Sequence, residues 1–204
     1  MLNIFKRLVY IASGKNAIIR YYRPDDIVAV REWMRDNDLV RYAFGIIAGD
    51  DDLRKLAEAF CYETENFGGN RITILDKSES PVGIIKLTPS FGQTMHVTIG
   101  ILIGEKRNRG KSIGSEALIL TLNHLFKNKR VSHVELDTAT FNEPAAKCFL
   151  KCGFKRVKNF DETDYVTKIK MHKILFRITR EDFRPFYEKY ISEPSKEENP
   201  KEQK

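Results

Sequence analysis

The sequence predicts an α+β domain, and three observations carry that prediction. Its 204 residues are enough for one substantial hydrophobic core and cramped for two. Runs of alternating β-branched and apolar residues take turns with stretches whose apolar residues recur at helical spacing. In the middle of the chain, residues 99–118 read as strand, basic glycine-punctuated turn and helix.

Composition narrows the function classes. Hydrophobic residues make up 42% of the chain and charged residues 31%, the balance of a soluble globular protein. No run approaches the roughly 20 apolar residues of a membrane span, so no membrane partner is expected. The formal net charge of +7 suits a ligand or partner carrying several phosphates. Nucleic acid would also suit it, but the chain lacks the stacking aromatics of an RNA-binding module, and nucleic acid is not the expected partner. Cys61, Cys148 and Cys152 are an odd number without a disulfide spacing, which points to a reducing compartment, the cytoplasm. Cys148 and Cys152 lie four apart with no histidine pair beside them, so no metal centre is expected.

Residues 1–16 read as a leader. Its apolar run contains Lys6 and Arg7 and no small-residue cleavage site, which favours an amphipathic turn or helix over a signal peptide. One domain follows over residues 17–191. A first strand at 17–23 is stopped by Pro24. Asp25 and Asp26 then introduce a helix over 27–35, with Ile27, Val30, Trp33 and Met34 on one face. Trp33 at such spacing reads as core rather than as a ligand platform. Residues 37–52 read as turn chemistry around Gly45 and Gly49. Asp50, Asp51 and Asp52 start a helix carrying Leu53, Leu56, Ala57 and Phe60. They suit its N-terminus, where capping and the helix dipole favour carboxylates. Strands at 71–75 and 82–87 form a hairpin, and 95–103 is the strand that feeds the basic turn. The helix from Ile113 is followed by a strand at 131–138. A further helix has Pro144 in its first turn and Gly153 at its end, and strands at 154–157 and 165–178 complete the sheet. Residues 192–204 hold prolines and charges but no apolar residue, and a disordered charged tail is expected there.

The basic turn carries the first functional signal. Its glycines let the backbone approach a ligand closely, and it opens a helix whose first N–H groups have no intrahelical partner. Free amides and the positive end of the helix dipole favour an anion, and Arg107, Arg109 and Lys111 add cations. A solvated basic turn would have the same composition. The second signal lies downstream, where residues 142–154 have the form N-x-x-A-x-x-x-F-x-x-x-G-F.

Together with R-G-x-S-x-G at 109–114, this pattern resembles the GNAT superfamily of acetyl-CoA-dependent N-acetyltransferases, whose acyl-CoA loop is usually written Q/R-x-x-G-x-G/A. The resemblance covers residues 18–179. Residues 33–42 look most like the branch that acetylates ribosomal-protein termini, polyamines and antibiotics. It implies a mixed, mostly antiparallel twisted sheet of about six to seven strands flanked by about four helices. It also implies acetyl-CoA as co-substrate and, as acceptor, an amine on a small molecule or a protein N-terminus. A homodimer is a further expectation.

By the same resemblance, the backbone of Ile101, Leu102 and Ile103 holds the pantetheine arm like an added strand, and Asn142 hydrogen-bonds it. Arg107, Arg109, Gly110, Lys111, Ser112, Ile113, Gly114 and Ser115 seat the pyrophosphate. His96 is the only imidazole expected in the neighbourhood of amine deprotonation, and alternation puts it on one strand face with Thr98. A structural histidine is the alternative. The chain departs from the pattern twice. Ser112 stands where the loop usually has its first glycine, although its hydroxyl can donate to a phosphate or cap the helix. Phe149 stands where many members carry a tyrosine acid, which leaves thiolate protonation to water or to a tyrosine elsewhere, such as Tyr165. The expected function is N-acetyl transfer by direct attack in a ternary complex, and the alternative is a non-catalytic acyl-CoA-binding or sensing module.

Overall fold

A computed structural model describes residues 10–92 and 94–192. Eight strands form one sheet: β1 Tyr10–Ser13, β2 Ile18–Tyr21, β3 Arg71–Leu75, β4 Pro81–Phe91, β5 Met95–Ile103, β6 Val131–Ala139, β7 Lys155–Thr163 and β8 Lys170–Thr179. Their spatial order is β1-β2-β3-β4-β5-β6-β8-β7. Every neighbouring pair is antiparallel except β5 and β6, which run parallel. Six α-helices accompany the sheet: α1 Ile27–Trp33, α2 Asn37–Phe44, α3 Asp50–Asn66, α4 Ile113–Phe126, α5 Glu143–Lys151 and α6 Arg180–Ser192.

The fold is the one expected, with one strand and two helices beyond the expected numbers. The extra strand is β1, an edge strand that falls within the segment read as leader. Tyr10 and Ile11 are extended there, not part of an amphipathic helix, while residues 1–9 lie outside the described residues. Helix α2 occupies part of the stretch read as turn chemistry. Asp36 caps it by accepting from the N–H groups of Asp38 and Leu39 at 3.1 and 3.2 Å, and Gly45 ends it at φ +69°. Helix α6 was not expected at all. Phe183 packs into the core, and Phe186 and Tyr187 follow at helical spacing. The expected charged tail, Ser192 aside, lies outside the described residues.

Strand alternation builds a core on each face of the sheet. Ile85, Val97, Ile99, Val134, Leu136, Phe176 and Ile178 point toward α4, α5 and α6. Ile84, Leu102 and Met171 point the other way, into a cluster formed with Val30, Trp33, Leu39, Val40, Leu53 and Leu56 of α1 to α3. Trp33 is core, as its spacing suggests, at 7% exposure. It lies so close to the backbone after β5 that any side chain at Gly104 would run into its ring.

Two buried carboxylates brace this frame. Asp26, in a short 3-10 turn after β2, takes a bidentate pair from Arg20 at 2.6 and 2.7 Å, together with the Thr73 hydroxyl and the Arg23 N–H. Glu116, in the first turns of α4, accepts the N–H groups of Lys15, Asn16 and Ala17 at 2.5 to 2.7 Å and the Tyr190 hydroxyl at 3.2 Å. One carboxylate thus ties the β1–β2 turn and α6 to the helix that opens at the basic turn.

Candidate active site

Strands β5 and β6 pair over a short stretch and then part. Their ladder runs Met95 with Val131, His96 with His133, Val97 with Val134 and Thr98 with Glu135, and it ends there. Beyond that point β5 continues against β4 as far as Ile103, and β6 continues against β8 as far as Ala139. Each strand keeps one neighbour and loses the other, so a fork opens. On the inner side, alternate backbone groups of residues 99–103 have no strand partner. Ile101, Leu102 and Ile103, named from sequence for the pantetheine arm, all line up on this limb.

The basic turn follows at the end of the same limb. Lys106–Asn108 form a 3-10 turn, Gly110 has φ +75° and Ser112 has φ +58°, and α4 begins at Ile113. The Ser112 hydroxyl does not cap the helix. Its carbonyl accepts instead from the Ser115 hydroxyl at 2.9 Å and from the Glu116 N–H at 3.0 Å. The N–H groups of Ile113, Gly114 and Ser115 precede the first donor of the α-helical ladder, so they face out of the helix end. Behind the turn, the buried Asn108 faces Asp76 of the β3–β4 turn.

The cations of the turn do different work. Arg107 and Lys111 are exposed, with Arg107 only 3.6 Å from Glu105. Arg109 folds back. Its Nε donates to the Ile103 carbonyl at 3.0 Å and its Nη2 to the Gly104 carbonyl at 2.8 Å, with Asp36 at 3.4 Å. Arg109 therefore shapes the turn and fastens it to the start of α2, a link no local pattern announced. Asn142 is similarly engaged: its side chain caps α5 through the Ala145 N–H at 3.3 Å and donates to the Tyr42 carbonyl at 3.3 Å. A fork in the sheet, a glycine-bearing turn and a bare helix end now stand in one line.

A family model described as an acetyltransferase (GNAT) domain matches residues 16–155. The chain belongs to the GNAT acetyltransferase family. It is on that ground an acyltransferase. An N-acetyltransferase 9-like protein of Caenorhabditis briggsae is 24% identical over 157 residues, covering 71% of this chain and 77% of that protein. The spermidine N-acetyltransferase of Vibrio cholerae, solved in complex with CoA and spermine, is similar in fold at TM-score 0.63 and 15% identity. That match covers 82% of this chain and 97% of the other. The ribosomal-protein-S5-alanine acetyltransferase of Vibrio fischeri matches at TM-score 0.63 and 16% identity, over 87% of this chain and 100% of its own.

In this GNAT chain the remaining sequence-named residues take distinct places. His96 and Thr98 share the half-buried side of β5, with Val97 and Ile99 buried on the other. The His96 ring stacks on that of His133, 4.9 Å between centroids. Phe149 is not at a wet site: it is 4% exposed and packs edge-on against Phe176 and beside Phe154. Tyr165 is 85% exposed on the β7–β8 turn, with the Lys168 ammonium 4.2 Å over its ring. Asp50, Asp51 and Asp52 pair with Asn37, Arg54 and Lys55. Asp50 and Asp51 line an open groove between α1 and α3, which includes no residue of the fork. Cys148 and Cys152 are neighbouring free thiols, and Cys152 donates to the Ser115 carbonyl at 3.5 Å, a packing link between α5 and α4. Among the described residues no cluster of three or more His, Cys, Asp and Glu side chains has metal-site geometry, and no helix is long and apolar enough to cross a membrane.

Proposed function

We propose that the chain transfers an acetyl group from acetyl-CoA to a primary amine by direct attack in a ternary complex. The supporting observation is the fork: β5 leaves β6 after Thr98 and runs, with one side of its backbone unpaired, straight into the basic turn at the start of α4. An extended amide-bearing arm ending in a pyrophosphate fits that sequence of features, backbone first and helix end second. Ile101, Leu102 and Ile103 would hold the arm. The N–H groups of Ile113, Gly114 and Ser115, with Arg107 and Lys111, would take the phosphates.

Acetyl-CoA supplies the activated thioester, and the protein's part is placement and proton handling. Gly110 and Ser112 turn the chain so that the helix end faces the ligand. Arg109 holds the turn against the end of β5. His96 and Thr98 lie where the fork begins, on the face from which an acceptor would approach. The acceptor is a polyamine, aminoglycoside, amino sugar or protein N-terminus, the acceptor classes of this branch. Within the branch the spermidine and ribosomal-protein enzymes share the fold with this chain.

The test is mass spectrometry of products after incubation with labelled acetyl-CoA and an amine panel of those four classes, alongside release of free thiol. Labelled N-acetyl product with matching thiol is the expected result. Tight acetyl-CoA binding without thiol release from any amine would leave the sensing module in place of the enzyme, and the buried Phe149 is the observation in that module's favour.

A further inference from the structure

An acceptor amine must shed a proton before it attacks, and β6 offers that proton a way out. Thr98 and Glu135 are the last residues paired before β5 and β6 separate. Val97, Ile99, Val134 and Leu136 face α4, so Thr98, Glu135, His96 and His133 lie together on the opposite face. His96 and His133 are cross-strand partners whose rings lie 9° from parallel. Arg177 of β8 donates twice to Glu135 Oε1, from Nε at 2.8 Å and from Nη2 at 2.6 Å. His133 Nε2 lies 3.7 Å from that same oxygen, and its Nδ1 lies 2.9 Å from Ser132 Oγ. Ser132 in turn reaches the exposed Thr94 hydroxyl at 3.4 Å. A file of polar atoms therefore leads from the fork to solvent.

We propose that Glu135 receives the acceptor's ammonium group at the fork, and that the stacked His96–His133 pair takes up the proton this group sheds. The proposal rests on the acetyl-transfer reading above. The Glu135 carboxylate, only 14% exposed, already holds one cation on Oε1 and keeps Oε2 for another. Two imidazolium rings at this spacing repel, so the pair takes up one proton and not two. The charged groups facing His133 are Arg177 from β8, Glu135 from its own strand and His96 from β5. Burial pushes its imidazole below the ordinary value, Arg177 and His96 act the same way, and Glu135 opposes them. A lowered value also means that His133 readily passes on a proton it has accepted. In the step an ammonium N–H bond breaks, an imidazole N–H bond forms, and nitrogen keeps the electron pair with which it attacks. The imidazolium then yields its proton to water past Ser132.

The experiment is the pH profile of thiol release for wild type, His133→Asn, Glu135→Gln and Glu135→Asp, with acetyl-CoA affinity and thermal midpoint measured for each. The acid limb of the wild-type kcat/KM profile should lie below about pH 6.5, the ordinary imidazole value that burial and Arg177 push His133 beneath. His133→Asn should move that limb upward and lower the rate at neutral pH at least about tenfold. Glu135→Gln should raise KM for the amine more than it lowers kcat, and Glu135→Asp should recover part of the loss. Acetyl-CoA affinity should not change. A His133→Asn profile that superimposes on wild type, or an unchanged KM in Glu135→Gln, overturns the proposal while acetyl transfer stands. If Glu135→Gln does not fold, the His133→Asn profile decides. Wild-type protein that releases no thiol with any amine defeats the acetyl-transfer reading itself, and this proposal with it.

Discussion

Asp26 shows how a single buried residue sets a pH limit on this fold. Burial pushes its carboxyl up, but Arg20, the Thr73 hydroxyl and the Arg23 N–H outweigh burial, and its pKa ends below the ordinary carboxylate value. A folded-state pKa below the unfolded one means stabilisation that is full above about pH 4 and lost as pH falls through the folded value. Asp26→Ala leaves Arg20 buried without its partner and should cost about 3 to 5 kcal/mol. Urea unfolding from neutral pH downward should show wild type losing stability below about pH 4 more steeply than the variant. Phe149 makes the second residue-scale case. The ring is packed against Phe154 and Phe176, so Phe149→Tyr buries a hydroxyl with no partner there and should cost about 1 to 3 kcal/mol. Acetyl-CoA affinity should stay as in wild type, because the ring belongs to the core and not to the turn. Unfolding and calorimetry on one preparation check both halves.

At the scale of elements, the joints between segments distant in sequence decide what the local patterns left open. Strands β3 and β4 are legible as apolar β-branched runs on either side of the polar 76–81 turn, each buried in a continuous run rather than alternately, β5 by the alternation of its first half, and α4 because its glycine-bearing turn marks its start. Helix α2 is not, since Asn37, Asp38 and Gly45 are turn residues whether they cap a short helix or interrupt a loop. Helix α6 has a sequence signal of its own, since Phe183, Phe186, Tyr187 and Tyr190 recur at helical spacing, but Pro185 lies inside it and removes one intrahelical hydrogen bond, which masks the pattern. Its register is fixed by Arg180, which donates to the carbonyls of Phe126, Asn128 and Val131. At its far end, burial and the nearby Glu116 carboxylate push the Tyr190 phenol up to about 12. Glu116 is the joint to test. Glu116→Ala strands the N–H groups of Lys15, Asn16 and Ala17, of which the buried one at Ala17 should alone cost about 1 to 3 kcal/mol. The variant should unfold at lower urea, and the amides of those three residues should lose their protection against hydrogen exchange. Unchanged exchange there would show that the turn is held by β1 alone.

Across the whole molecule, the proposed site lies where three lines of chain meet: the fork between β5 and β6, the turn into α4, and the α1–α2 segment fastened to that turn by Arg109 and Asp36. The two motifs make the turn and the start of α5 readable, because Gly110 stands where the backbone takes a positive φ and Asn142 where a helix needs its cap. The partners that fix the turn from outside, Asp36, Trp33 and Asp76, come from other parts of the chain, and spacing could not show them. The same holds for His133 and Glu135, which gain meaning only once β6 is laid beside β5. Gly114 is the place to interrogate this convergence. A Cβ there already sits 3.3 Å from Ile103 Cγ1, so Gly114→Val presses on the limb of the fork and fills the helix end at once. Calorimetry of acetyl-CoA binding to wild type and Gly114→Val, both shown folded by their thermal midpoints, is the direct measurement. Binding by wild type and at least tenfold weaker binding by the variant, about 1.4 kcal/mol or more, is the expected result; equal affinity in the two proteins would contradict an acyl-CoA seat at this turn.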